Sequence, residues 1–235
     1  FLTVLPIALI LERGKIKLEI NSNRKLFFKY LILMGISLFL GTYLQQAALQ
    51  YTNIANAAFF TVFYVPLVPI LLFFIYSTKV HWSIWPSIGL CIIGVYLLSD
   101  FSNSEIMIGD ALVILCSLFW ALHIIFAGKF MEKFNIPIFY AALQAALVFT
   151  FSIIFATFLE EIVITKILME YSSILYAGVL SGGIAFTLQM FAQKNIEETP
   201  AAIIYSLEGV FATIAGWVIL SQILNINNII GCILI

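Results

Sequence analysis

Residues 54–76 read IANAAFFTVFYVPLVPILLFFIY, and no charge interrupts them. A helix needs about 20 mostly apolar residues to cross a hydrocarbon core ~30 Å thick, and this stretch is long enough to do so. Working outward, further runs of the same kind lie at 27–48, 83–99, 109–131, 137–159, 172–193 and 200–220. Two shorter apolar pieces, 1–11 and 226–235, are each about half a span. The composition agrees: 63% of the chain is hydrophobic and 10% charged, where soluble domains carry about 25% charged residues. A soluble globular enzyme cannot cover itself with so few polar groups. The formal net charge of −1 lacks the basic footprint that a nucleic-acid partner requires. The chain therefore reads as an all-α integral membrane protein whose solvent is the lipid bilayer, with seven full and two partial spans.

Several run ends carry helix signals. Gly109 and Asp110 open one run, with an acid at the positive end of the helix dipole. Thr199 and Pro200 fit N-cap and first helical position of another, and Pro137 suits the first turn of the run it begins. Pro66 and Pro69 should bend or interrupt the run 54–76. Residues 1–11 do not fit a signal peptide, because the basic residues follow the apolar stretch and do not precede it.

The connections are short, and the longest, 12–26, is a basic loop with Arg13, Lys15, Lys17, Arg24 and Lys25. Placing it in the cytoplasm and alternating sides puts every Lys and Arg except Lys166 on the cytoplasmic face, out of 11 in the chain. That bias follows the positive-inside rule and predicts a multi-pass cell-membrane protein, in a bacterium one of the inner membrane. The outer loops collect Asp100, Glu105, Asp110, Glu160, Glu161 and Glu170.

The chain also resembles itself. A shift of 144 carries Leu44 onto Leu188, Gln45 onto Gln189, Ala48 onto Ala192, and Ala57-Ala58 onto Ala201-Ala202. At a shift of 142, Gly89-Leu90-Cys91-Ile92-Ile93 resembles Gly231-Cys232-Ile233-Leu234-Ile235. The same shift makes 1–11 the cut-short partner of 137–159, and finds no partner for 109–131. The expectation is an inverted repeat of two five-helix bundles, ten spans when intact, with this chain a fragment. Residues 1–101 form the first repeat, holding part of the second span and the third to fifth. Residues 106–235 form the second, holding the sixth to ninth and part of the tenth. An odd number of helices per repeat makes the second copy enter the membrane from the other side, the architecture of many secondary transporters.

The stretch Gly41-Thr42-Tyr43-Leu44-Gln45-Gln46-Ala47-Ala48-Leu49-Gln50-Tyr51-Thr52, with Ala57-Ala58-Phe59 and Pro66-Leu67-Val68-Pro69, resembles the first repeat of EamA-type members of the drug/metabolite transporter superfamily. Gly109-Asp110 leading to Phe119-Trp120-Ala121-Leu122-His123 is similar to the start of their sixth helix. Ala192-Gln193, Ala201-Ala202 and Ser206-Leu207-Glu208-Gly209-Val210-Phe211 resemble their ninth-helix region. This chain departs at Gly209, where the family often has Pro, and at Ser221-Gln222, where it often has Gly-Glu. The resemblance implies a ten-helix inner-membrane carrier, commonly an exporter of amino acids or other small metabolites. It also implies that helices one to four and six to nine surround the cavity.

Only Glu208 and His123 are ionisable groups placed at mid-membrane depth by the spans. Glu208 lies about 12 Å along its helix from Pro200. A charge within a span is costly and a functional candidate by default. Glu208 is thus the candidate for proton coupling or for contact with a substrate amine; a neutral acid bonded to a neighbouring helix is the alternative. Trp120 and His123, three apart, share a helix face. The sets Gly41 and Gln45; Asn56, Phe60 and Tyr64; Ser181, Ala185 and Gln189; and Tyr205 and Glu208 each share a face by the same rule. The substrate-cavity candidates are therefore Gln45, Asn56, Tyr64, Trp120, His123, Gln189, Tyr205 and Glu208. Interhelical hydrogen bonding is an equal reading of Asn56 and Gln189. Gly178 and Gly182 have the spacing of a close helix contact.

No catalytic or metal site and no cofactor is expected. Cys91, Cys116 and Cys232 lie in separate runs without paired spacing, HExxH is absent, and no glycine-rich phosphate loop is present. The sequence predicts a secondary transporter of small organic metabolites, exporting by alternating access and able to pair as a homodimer. An intramembrane enzyme and a non-transporting scaffold or receptor are the alternatives.

Overall fold

The computed structural model describes residues 1–99, 105–221 and 223–235; Asp100 and Gln222, named above, lie outside them. Every regular element among the described residues is helical. In chain order they are α1 (Val4–Leu11), α2 (Arg13–Ser22), α3 (Arg24–Ala48), α4 (Ile54–Thr61), α5 (Tyr64–Tyr76), α6 (Ile84–Leu98), α7 (Ile108–Met131) and α8 (Pro137–Leu159). There follow α9 (Ile164–Met169), α10 (Tyr171–Leu175), a π-helix (Tyr176–Ala185), α11 (Phe186–Gln193), α12 (Glu198–Tyr205), α13 (Glu208–Leu220) and α14 (Ile226–Leu234).

Among the described residues, six helical stretches are long and apolar enough to cross a membrane: 24–48, 54–76, 108–131, 137–159, 171–193 and 198–219. The seventh expected span is α6, of 15 residues, about 22 Å long and short of a full crossing. Pro86 fixes its first turn and bars the helix from running back toward Lys79. The basic segment 12–26 is not a loop: α2 occupies most of it, and Asn23 then caps α3 by accepting from the Leu26 N–H at 3.1 Å. The helix at Glu198 starts ahead of the expected Thr199 cap, so Pro200 sits within the first turn, where its missing N–H costs nothing.

Two of the spans are broken. The stretch 54–76 divides at Val62 and Phe63, because the ring of Pro66 occupies the space of the carbonyl four residues back and offers no N–H. Bonding tightens to i→i+3 there: Phe63 N–H donates to Phe60 O at 3.2 Å and Val65 N–H to Val62 O at 2.9 Å. The stretch beginning at Glu198 divides at Ser206 and Leu207 without any proline. The Ser206 hydroxyl donates to the Ile203 carbonyl at 2.6 Å, competing with the backbone for it. Leu207 N–H then donates to Ile204 O at 3.1 Å and Gly209 N–H to Ser206 O at 3.2 Å. A shift of 144 carries the donors and acceptors of the first break onto those of the second. It also carries Ser77 onto Ser221, the two left-handed caps at φ 55° and 53° that close α5 and α13.

The chain gathers into two compact units, residues 1–39 with 126–197 and residues 40–125 with 198–235. Each unit draws on both halves of the sequence. In the first, α1, α11 and the π-helix pack on α8. Phe27 fills its centre, edge-on to Phe130 and Phe134 at 5.4 and 5.5 Å, and Tyr140 stacks on Phe130. Glu12, 7% exposed, accepts from the Ile138 and Phe139 N–H groups at 3.2 and 2.8 Å. It thereby satisfies the open N-terminus of α8 from a distant part of the chain. In the second unit, Ala48, Ala57, Phe60, Val113 and Cys116 form a core cluster, and α12 packs on α5 and α6. Helices α6 and α14 cross at Gly94 and Gly231, each of which meets the other's carbonyl oxygen where a side chain would begin.

Candidate functional site

Seven of the eight cavity candidates, Gln45, Asn56, Tyr64, Trp120, His123, Tyr205 and Glu208, belong to the second unit. Gln189 belongs to the first, where its amide donates to Gln193 at 3.4 Å.

Tyr64 and Glu208 are the first residues after the two breaks. Tyr64 is 4% exposed, and Glu208, Cys91 and Tyr205 all lie within its electrostatic reach. The hydroxyl oxygen of Ser206, within the second break, lies 3.5 Å from the Cys91 sulfur, whose thiol can donate to it. Glu208 is exposed. It is therefore not enclosed in the packing. The hydroxyls of Tyr64 and Tyr205 and the indole N–H of Trp120 are buried with no hydrogen-bond partner among the described residues. Buried polar groups are normally bonded, and exceptions call for an explanation. The unmet Tyr64 hydroxyl, with Glu208 in its electrostatic reach, suits a ligand that supplies an acceptor and a positive charge.

Trp120 and His123 meet edge-on with ring centroids 6.1 Å apart, and His123 is fully buried. Gly41 faces the Trp120 ring: a side-chain carbon there would touch it at 3.5 Å, an ordinary contact. Gln45 donates to the Thr61 hydroxyl at 3.4 Å.

The geometry redraws some of the expected faces. Asn56 and Tyr64 stand on different helices, as do Tyr205 and Glu208, because the breaks fall between them. Ser181 and Ala185 lie in the π-helix, whose i→i+5 bonding undoes the i, i+4 face they were expected to share with Gln189. A side-chain carbon at Gly178 would meet nothing within 4 Å, and one at Gly182 would meet the Ala177 carbonyl oxygen at 3.4 Å.

One polar centre lies outside the expected constellation. Asp110, 2% exposed, accepts from the Thr52 hydroxyl, from the Asn56 amide at 2.8 Å and from the Met107 N–H at 2.8 Å. The Asn56 amide also donates to the Glu105 carbonyl at 2.9 Å, and Gly109 N–H donates to Tyr51 O at 3.1 Å. This network ties the turn between α3 and α4 to the start of α7. The sequence signalled Asp110 as a helix start and an outer-loop acid, and its side-chain partners Thr52 and Asn56 are far away in the chain.

The signature of the EamA-like transporter family matches residues 1–100 and 107–235. A protein of Archaeoglobus fulgidus named "Uncharacterized transporter" is 33% identical over 205 residues, which cover 86% of this chain and 64% of that relative. The chain thus spans less than two thirds of the relative's length. A solved crystal structure at 16% identity shares the fold, with a TM-score of 0.71 over 86% of this chain and 73% of that one. With six apolar spans among its described residues and the family signature across both halves, this multi-pass membrane protein belongs to the EamA-like transporter family, within the drug/metabolite transporter superfamily.

Proposed function

We propose that the intact protein is a secondary transporter of small organic metabolites, amino acids or related compounds, which it exports across the cell membrane by alternating access. The observation that carries this is the matched pair of breaks. A shift of 144 carries Tyr64 onto Glu208, and these two residues are electrostatic neighbours. Equivalent positions of two copies that meet each other lie beside the axis relating the copies. Discontinuous helices at corresponding places in inverted repeats are where such carriers hold substrate and coupling ion. The family signature falls in two blocks, 1–100 and 107–235, which supports an inverted repeat of five-helix bundles with halves at 1–101 and 106–235.

In this reading Glu208 couples transport to protons or holds a substrate amine. Tyr64, Tyr205 and Trp120 donate to the substrate, with His123 and Gln45 at its edge and Asn56 as a supporting amide. The segment 12–26 faces the cytoplasm, in a bacterium beneath the inner membrane, and two copies pair as a homodimer.

The test compares extracellular metabolites of cells with and without the overexpressed intact protein. A specific compound accumulating outside names substrate and direction together. No difference in any small metabolite, with the protein inserted and folded, would return the scaffold or enzyme reading.

A further inference from the structure

We propose that α2, with the first turns of α3, is a binding surface for anionic phospholipid headgroups. Arg13, Lys15, Lys17, Arg24, Lys25 and Lys29 are all exposed, and they fall within one short stretch that runs directly into the span beginning at Arg24. Two acids, Glu12 and Glu19, stand against these six cations. The Glu12 carboxylate is buried and held by the Ile138 and Phe139 N–H groups, although Lys15 lies within its electrostatic reach. Glu19 is the one other acid of the stretch. The ion pair found among the described residues, Lys129 with Glu132 at 2.6 Å, lies elsewhere.

A span's first residues lie at the headgroup level, so these cations remain beside lipid phosphates after they have served to orient the chain during insertion. Leu18, on the same short helix, is 72% exposed. An exposed leucine among cations suits a helix that rests on the boundary between headgroups and acyl chains. Arg24 also lies over the Phe28 ring at 5.8 Å, which holds one guanidinium at the start of the span. The arrangement has consequences for the first unit, because Glu12, at the head of α2, is the group that caps α8.

The intact protein is exchanged into vesicles of equal phosphatidylglycerol and phosphatidylcholine with matched acyl chains, and the lipids it retains are counted by native mass spectrometry. Each cation near an anionic surface gives a preference of about fivefold, so the expected enrichment of phosphatidylglycerol is at least about tenfold. Raising salt from about 50 mM to about 500 mM should erase most of it. The variant with Arg13→Gln, Lys15→Gln and Lys17→Gln should keep only a weakened preference, carried by Arg24, Lys25 and Lys29, and Lys79→Gln should retain the wild-type preference. Glycerol phosphate in solution should not compete. Equal retention by the wild type, an unchanged preference in the triple variant, or displacement by soluble glycerol phosphate would each overturn the proposal.

Discussion

Asp110 carries a carboxylate into a nearly closed site and meets three donors there, which is how a buried charge without a cation becomes tolerable. Asp110→Asn keeps the shape but turns one acceptor into a donor facing donors. The expected cost is about 1–3 kcal/mol, read as a lower midpoint of thermal unfolding in detergent. Gly109→Ala should cost at least as much, because its new carbon would lie 2.6 Å from the Tyr51 backbone and 2.7 Å from the Ala48 carbonyl oxygen. Midpoints equal to wild type in both variants would mean that this network bears no load. The network also shows what a sequence hides. Asn56 was legible as a polar residue within a span, but its partner Asp110 is 54 positions away, and no periodicity reports such a pairing. Glu208 was legible because a lone acid in an apolar run stands out against its surroundings.

At the scale of elements, the two breaks differ in cause while sharing geometry. Pro66 announces the first, and Pro66→Ala should let α4 and α5 join. Spin labels at positions 54 and 74 would then approach the ~30 Å separation of a continuous helix, and export should fall; an unchanged distance would remove Pro66 as the cause. The second break has no proline, so sequence patterning read 200–220 as one helix. A serine hydroxyl bonded to a nearby carbonyl, Ser206 to Ile203, is too common a local choice to be diagnostic. The cap on α8 was equally hidden, since Glu12 stood in the sequence only as an acid at the head of a basic segment.

Glu12 also gives a pH dependence. Burial lifts its carboxyl above the ordinary 4.5, against the Phe139 and Ile138 N–H bonds and Lys15, which favour the charged form. An acid with a raised folded pKa binds its proton more tightly when folded. Its stabilising contribution is complete below 4.5 and is lost as pH rises through the folded value. Glu12→Gln cannot ionise, so the variant should gain stability relative to wild type as pH rises from 4.5 toward neutrality. A difference in melting temperature that stays constant over that window would contradict this.

For the whole molecule, the spans were readable almost to the residue: 137–159 is α8 as expected, and 54–76 is α4 with α5. Long apolar runs between polar turns leave lipid-facing helices few alternatives. The two compact units, which each take helices from both halves, were not readable, because helix-to-helix packing in lipid has no hydrophobic stripe to declare a partner. The self-similarity seen in scattered Leu, Gln and Ala matches reappears as equivalent breaks and equivalent serine caps. That equivalence supports the proposed carrier, in which Glu208 is the coupling group.

The most direct test uses proteoliposomes of the intact protein, loaded with a pH-sensitive dye and given the compound that accumulates outside overexpressing cells. Wild type should move that compound down an imposed pH gradient with a matching proton signal, and Glu208→Gln, equally folded, should show neither. Gradient-driven flux and a proton signal unchanged in Glu208→Gln would contradict the claim.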